Sequence, residues 1–392
     1  MKHKKISRQI VESVRLFSNK NIIPLHEPSF NNDDLNSVSE CLSSSYVSTA
    51  SKFTNTFEEK IKKLTKSKYV VATINGTSAL QVAIKSLGIK KNEEILIPNL
   101  NYVSSTNTAI YCNTIPHFVD VESLTFGIDV NKLEKYLKKI SIIKKKITIN
   151  KNTKRKISAV IPTHIFGNPA KIEEIIKLAK KFNLKVIEDA SECVGSYYKN
   201  KHLGTFGDVG VLSFNGNKII TTGGGGAIIT NNIKIFKKAL SLCTISRKIN
   251  SGWSYDYDDV GYNYRLPGIN SSLGIAQLSK LSYLLKLKRK IFLKYKKIFK
   301  KNIYVKLIDE LEDTKSNHWL NTLFIFNSNL NLRDKIIKET NKKGVGVRPV
   351  WKLMHKITHL SKYPKMNIKN SEKLEKSLIN LPSSPNLYDK TI

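Results

Sequence analysis

The chain is poor in cysteine, poor in arginine and without a long apolar run, and each scarcity closes off a class of protein. Its four cysteines, Cys41, Cys112, Cys193 and Cys243, are scattered, with no pair at metal-ligand spacing. Reduced, mostly buried thiols are expected, with no metal site and no disulfide framework. No apolar stretch approaches the ~18 residues that span a bilayer. The segment Met1 to Lys20 is basic and broken by Ser7, Arg8, Glu12 and Arg15, so it lacks the apolar centre of a secretory signal. A cytoplasmic protein without membrane insertion is expected.

Acidic residues are also scarce, 31 against 66 basic ones, which leaves a net charge of +35. Only eight of the basic residues are arginine, whereas readers of nucleic acid favour clustered arginine. The lysines run through nearly every segment beside abundant isoleucine and asparagine, the pattern of compositional drift in the encoding genome. No nucleic-acid partner is expected, although the excess charge can steer a small polyanionic substrate. A regulatory or nucleic-acid-binding protein is the rival class that this charge supports.

What is there is an alternation of short apolar runs and amphipathic segments. Tyr69–Ile74, Glu94–Ile97, Ile115–Val119, Ser158–Ile161 and Leu184–Glu188 read as strands. Thr77–Leu87, Val103–Tyr111, Val130–Ile140 and Lys171–Phe182 read as the intervening helices. Such alternation predicts an α/β fold with a mostly parallel sheet and ligands at the carboxyl ends of its strands. The segment Ile142–Lys156 carries seven basic residues and little pattern, and reads as a solvated insertion; a polyanion-binding loop is the alternative. After Gly261 a long helical stretch, Ile269 to about Lys300, precedes strand candidates at Leu320–Phe326 and Val345–Pro349, with a helix over Asn331–Lys342 between them. At 392 residues, two domains behind an N-terminal extension over 1–20 are expected: a large α/β domain over 21–260 and a smaller α+β domain over 261–392.

Three motifs follow predicted strands. Ser213-Phe214-Asn215-Gly216-Asn217-Lys218 precedes the glycine run Gly223–Gly226 and sets one lysine in a turn between two strands. An ordinary lysine is hydrated and cationic, and must be desolvated and held against a carbonyl before it forms a Schiff base; a solvated surface lysine is the plain alternative. Asn75-Gly76-Thr77-Ser78 opens a helix whose free N–H groups and two hydroxyls suit a phosphate, or else form a simple cap. In Ile187-Glu188-Asp189-Ala190-Ser191-Glu192 an acid ends a very apolar strand, where a carboxylate is costly unless it meets a cation or donors. A protonated pyridine nitrogen supplies both, and a helix cap is the alternative for Asp189.

The order of Gly76-Thr77-Ser78, Glu188-Asp189, Ser213-Phe214 with Lys218 and the glycines, then Gly261-Tyr262-Asn263-Tyr264-Arg265, resembles the DegT-type, pyridoxal-phosphate-dependent nucleotide-sugar aminotransferases over about residues 21 to 385. The resemblance implies the fold type I of pyridoxal phosphate enzymes, with Lys218 bonded to the cofactor and later carrying a proton, and Asp189 paired with the pyridine nitrogen. It further implies that Thr77, Ser78 and Ser213, beside Gly76, bind the cofactor phosphate, and that Tyr102 stacks on the ring. Asn263 would reach the site of a neighbouring subunit, making the enzyme a homodimer. Glu192, where many relatives carry Gln or His near the cofactor, and Gly224, where many carry Glu, resemble the subgroup acting on UDP-linked 4-keto sugars. The segment Pro349–His355 points the same way, whereas Ser271-Ser272 departs from a usual Ala-Ala pair. Arg265, Arg348 and His355 are the candidate substrate contacts, since arginine grips a diphosphate in a bidentate manner; intraprotein ion pairs are the alternative for the two arginines. Glutamate is the expected amino donor. A dTDP-linked keto sugar or a small ketone is the alternative substrate, and a dehydrating branch with histidine in place of lysine is disfavoured by Lys218.

Overall fold

The computed structural model describes residues 2–248 and 256–388. Seven strands form the central sheet: β1 (Tyr69–Thr73), β2 (Glu94–Pro98), β3 (Ile115–Val119), β4 (Ile157–Val160), β5 (Lys185–Asp189), β6 (Val209–Ser213) and β7 (Gly226–Thr230). Their order is β1-β7-β6-β5-β4-β2-β3. Only β7 runs against its neighbours, pairing antiparallel with both β1 and β6; the other adjacent pairs are parallel. Six strands therefore present their carboxyl ends along one edge.

The strands read as near-continuous apolar runs because both faces are covered. Successive side chains leave a strand on opposite sides. Thus Val71 of β1, Val211 of β6 and Ile228 of β7 pack with Leu80, Val82 and Ile84 of the helix Gly76–Ser86. Their neighbours Val70, Ala72, Leu212 and Ile229 pack on the other face with Phe57 and Ile61 of the helix Lys52–Thr65. Further along the sheet, Leu96 and Val160 meet Leu133 and Leu137 of the helix Val130–Ile140.

A second, antiparallel sheet joins Val305–Leu307, Asn321–Ile325, Leu378–Leu381 and Arg348–Pro349 in that order. Its apolar face packs on Ile291, Phe292 and Tyr295 of the helix Leu281–Phe299 and on Ile6, Ile10 and Val14 of the N-terminal helix Lys2–Arg15. The helix Lys2–Arg15, expected as part of an N-terminal extension, thus lies within the C-terminal layer. Nor do the apolar clusters part at residue 261. The helix Gly268–Ser279 packs against helices Asn32–Ser43 and Lys52–Thr65, beside the large sheet. The seam falls at the following helix, whose Leu281 and Leu284 join the large-sheet cluster while Ile291 to Phe299 join the small one.

The basic segment is also more ordered than its composition implies. Ser141–Lys144 and Ile147–Asn150 form a hairpin, with Thr148 and Asn150 buried and its lysines outward. Among the described residues no helix is long and apolar enough to cross a membrane, and no group of three or more His, Cys, Asp or Glu is placed to hold a metal.

Candidate active site at the strand ends

A cavity of about 320 Å³ opens where β1, β2, β4, β5 and β6 end. After β1, Asn75 caps the helix Gly76–Ser86, its Oδ1 accepting from the Ser78 N–H at 2.7 Å. Gly76 and Thr77 line the cavity while Ser78 is buried beside it. A Cβ on Gly76 would meet Ser213 Cβ at 3.0 Å, and glycine here lets the helix start close over the end of β6. The glycine run serves the same turn: a Cβ on Gly226 would lie 2.6 Å from the Asn75 carbonyl. The run therefore seats β7 against the helix start.

Asp189 ends β5 and is buried. Its Oδ2 accepts from the Ser105 hydroxyl at 2.7 Å and its Oδ1 from the Ser191 N–H at 3.2 Å. Asn101 holds Ser105 from behind, donating to its hydroxyl at 3.2 Å and to Thr163 Oγ1 at 2.9 Å. The preceding Glu188 faces the opposite side, where the N–H groups of Gly204 (2.9 Å), Phe206 and Gly207 and the His164 ring saturate it. Two adjacent acids thus have separate fates: Glu188 is consumed by structure, and Asp189 keeps acceptor capacity toward the cavity.

Lys218 lies in the long connection between β6 and β7, its stem mostly covered. Its Nζ is 3.5 Å from Glu192 Oε1 and 3.8 Å from the centroid of the Trp319 ring. The other Glu192 oxygen accepts from the Phe166 N–H at 2.7 Å. Burial pushes the Glu192 carboxyl up to about 7, against the lowering pull of Lys218 and of the Phe166 N–H.

Of the other residues singled out from the sequence, Ser213 lines the cavity and Tyr102 stands half-exposed at its rim, 6.1 Å from Trp351 between ring centroids. Asn263 is exposed, bridged to Thr244, and does not line this cavity. Arg265 is also absent from it. Both of its terminal nitrogens engage Glu58, which in turn accepts from the Ala72 N–H at 2.6 Å, so this arginine is committed to an ion pair that braces β1. Arg348 is exposed, its guanidinium bonded to the Val347 carbonyl at 3.2 Å, and His355 is hydrogen-bonded through Nδ1 to Asn99 at 3.1 Å. Neither lines the cavity. The sequence reading missed Asn101, Ser105, Thr163 and Trp319. Tryptophan numbers three in the chain, and two of them, Trp319 and Trp351, wall the cavity; that rarity was the available signal.

These donors fit pyridoxal phosphate: a helix start with hydroxyls closed over by Gly76, a buried carboxylate with spare acceptor capacity, and a covered lysine amine share one cavity. Comparison with known proteins agrees. Residues 28–392 match the model of the DegT/DnrJ/EryC1/StrS aminotransferase family. The chain is 34% identical over 373 residues to a GDP-perosamine synthase of Escherichia coli O157:H7, covering 94% of this chain and 95% of that protein. It is 29% identical over 350 residues to a UDP-4-amino-4,6-dideoxy-N-acetyl-beta-L-altrosamine transaminase of Campylobacter jejuni, covering 89% of each. Among solved structures, the Helicobacter pylori aminotransferase PseC superposes with a TM-score of 0.84 at 25% identity, over 94% of this chain and 96% of that one. The chain belongs to the DegT/DnrJ/EryC1/StrS aminotransferase family, and is a pyridoxal-phosphate-dependent sugar aminotransferase.

Proposed function

We propose that this enzyme transfers the amino group of glutamate to the keto carbon of a nucleotide-linked 4-keto sugar, and that it works as a homodimer. The observation that carries the reading is the meeting of Lys218, Asp189 and Glu192 at one cavity beside the Gly76 helix start. Bound there, the cofactor supplies an electron sink for the carbanion formed when a proton leaves the carbon bearing nitrogen. Lys218 is the base that takes that proton at Nζ and returns it to the neighbouring carbon. Asp189, oriented by Ser105 and Ser191, would keep the bound ring's nitrogen protonated. The helix start at Gly76 and Thr77, with Ser213, would hold the phosphate, and the half-exposed Tyr102 would cover the ring from the rim.

For the nucleotide, we place a GDP-linked sugar first. The relatives named GDP-perosamine synthase reach 34%, 31% and 30% identity over at least 94% of the chain. The UDP-altrosamine transaminases reach 29% and 28%. A UDP-linked N-acetylhexosamine is the second reading, supported by the Glu192, Gly224 and Trp351–His355 resemblance. Specificity constants for the two 4-keto sugars, with glutamate as donor and product read by mass, test the assignment: preference for the UDP ketone reverses the order, and turnover of neither removes both nucleotide assignments.

The exposed Asn263 suits a residue offered to a second copy of the chain. Mixing inactive Lys218→Ala subunits with inactive Asn263→Ala subunits is expected to restore activity, because one site of each heterodimer then carries neither lesion. An active monomer, or failure to complement, contradicts the shared site.

A further inference from the structure

A second lysine is withdrawn from water, and no step described so far uses it. Lys288, on the helix Leu281–Phe299, is among the largest fully buried side chains, and its Nζ donates to the Trp319 carbonyl at 3.1 Å and the Ser383 carbonyl at 2.5 Å. Burial pushes its amine well below the ordinary lysine value. A neutral amine carries two hydrogens, which matches the two carbonyls; an ammonium would bring a third hydrogen and an unsolvated charge.

Trp319 carries this anchor to the reacting lysine. Its Nε1–H donates to the Asn217 carbonyl at 2.7 Å, one residue before Lys218, and its ring face lies 3.8 Å from the Lys218 Nζ. Its own N–H donates to Asn317 Oδ1 at 2.9 Å, and the Asn317 amide donates to the carbonyls of Glu192 (2.8 Å) and Val194 (3.0 Å). One short segment ahead of a small-sheet strand thus ties together the two loops that bear Lys218 and Glu192.

We propose that Trp319, anchored through its carbonyl by Lys288, is a positioning residue that fixes the Asn217–Lys218 turn and covers one side of the Lys218 amine. A lysine stem is long and freely rotating, and a ring face that attracts a cation confines it before any carbonyl arrives. The inference rests on the proposed function only in taking Lys218 as the reacting amine.

The test uses the full-length apo-protein and limiting acetic anhydride, with acetylation at each lysine read by peptide mass spectrometry. Exposed Lys151 and buried Lys288 serve as internal references. Trp319→Leu is expected to raise Lys218 acetylation relative to Lys151 by roughly 5-fold, the factor of a moderate cation–π contact, with Lys288 unchanged. Trp319→Phe, which keeps a ring face and loses the bond to Asn217, raises it less. Lys288→Met, read against Lys151 alone, moves Lys218 in the same direction, and the double variant Lys288→Met with Trp319→Leu adds nothing to Trp319→Leu. Unchanged Lys218 acetylation in Trp319→Leu overturns the proposal, as does a parallel rise at Lys288, which reports general loosening. Additivity in the double variant overturns the anchor. Should Lys288→Met not fold, the two Trp319 variants decide alone. Turnover on keto sugars is measured separately, so its absence with this acetylation pattern intact faults the substrate reading and leaves the positioning role standing.

Discussion

Two buried carboxylates, one at each end of the central sheet, have opposite relations to their surroundings. Glu94 begins β2 and is completely covered; it accepts from Asn150 Nδ2 at 3.0 Å and from the Thr153 hydroxyl, and lies 2.8 Å from His117 Nδ1. Burial alone would push it up, but the bonds from His117, Thr153 and Asn150 together outweigh that penalty and the carboxyl ends below its ordinary value. Glu192, at the strand ends, is nearly as covered and has only the Phe166 N–H and a lysine amine at 3.5 Å, and burial wins. Saturated bonding makes an acid part of the scaffold. Incomplete bonding leaves it poised to exchange a proton, and such groups gather where a ligand completes the set.

The contrast predicts a wide separation of effects. The largest is expected for Lys218→Ala, since no other amine stands at the cavity among the lining residues. Turnover should vanish with the far-ultraviolet spectrum unchanged, and borohydride reduction of the holoenzyme should place the pyridoxyl group on the Lys218 peptide. A label on a different lysine would displace this assignment. Next comes Asp189→Asn, which keeps the shape and one acceptor oxygen for the bonds from Ser105 and Ser191 and removes the charge. A loss in kcat on the order of 100-fold or more is expected if holding the ring nitrogen protonated lowers the barrier by a few kcal/mol. Activity within a few-fold of wild type would exclude the role.

Glu94→Ala should show the opposite profile. It strips the buried His117 and Asn150, and the partly buried Thr153, of their shared acceptor, and breaking such a buried pair costs about 3 kcal/mol of stability. Urea denaturation should register that loss, while kcat of the folded fraction stays within about 2-fold, because the cluster sits at the far end of the strands. A kcat that falls with stability would erase the distinction between the two ends.

How much of this was legible in the sequence follows the range of the forces involved. The five strands of the alternating segment were marked by apolar runs, and the helix Val130–Ile140 by its own periodicity, since both signals are local. The hairpin at 141–150 was not legible, because what orders it is the reach of Asn150 and Thr153 to Glu94, more than fifty residues away. The N-terminal helix went unread because its apolar stripe, Ile6, Ile10 and Val14, is completed by the C-terminal sheet. The cavity-lining positions at or just past a strand end, Gly76, Asp189 and Ser213, were legible because the parallel sheet carries each strand end to one edge. Trp319 arrives from the other sheet, and only the tertiary packing sets it over Lys218. Arg265 failed for the converse reason: its neighbours in sequence suggested the site, but Glu58, across the fold, holds it.

The smallest effect is also the sharpest comparison, because the two carboxylates should bend the pH dependence of stability in opposite directions. Glu192 titrates near 7 in the folded apo-protein against 4.5 as the ordinary value. Between those limits the native state keeps a proton that the unfolded chain has released. Its contribution is therefore fully present below about pH 4.5 and lost as the pH rises through 7, with a ceiling on the order of 3 kcal/mol. Glu94, held below its ordinary value, contributes stability that is present above the unfolded value and lost as the pH falls. Urea denaturation of the apo-protein from pH 5 to 8 should show the wild type losing stability toward neutrality relative to Glu192→Gln, which keeps an oxygen for the Phe166 N–H; the difference cancels the buried His26, His202 and His318, whose lowered pKa values make stability rise over the same range. A slope unchanged by Glu192→Gln would mean that the carboxyl is already ionised in the apo-protein and that Lys218 alone satisfies it, which would return Glu192 to the same class as Glu94.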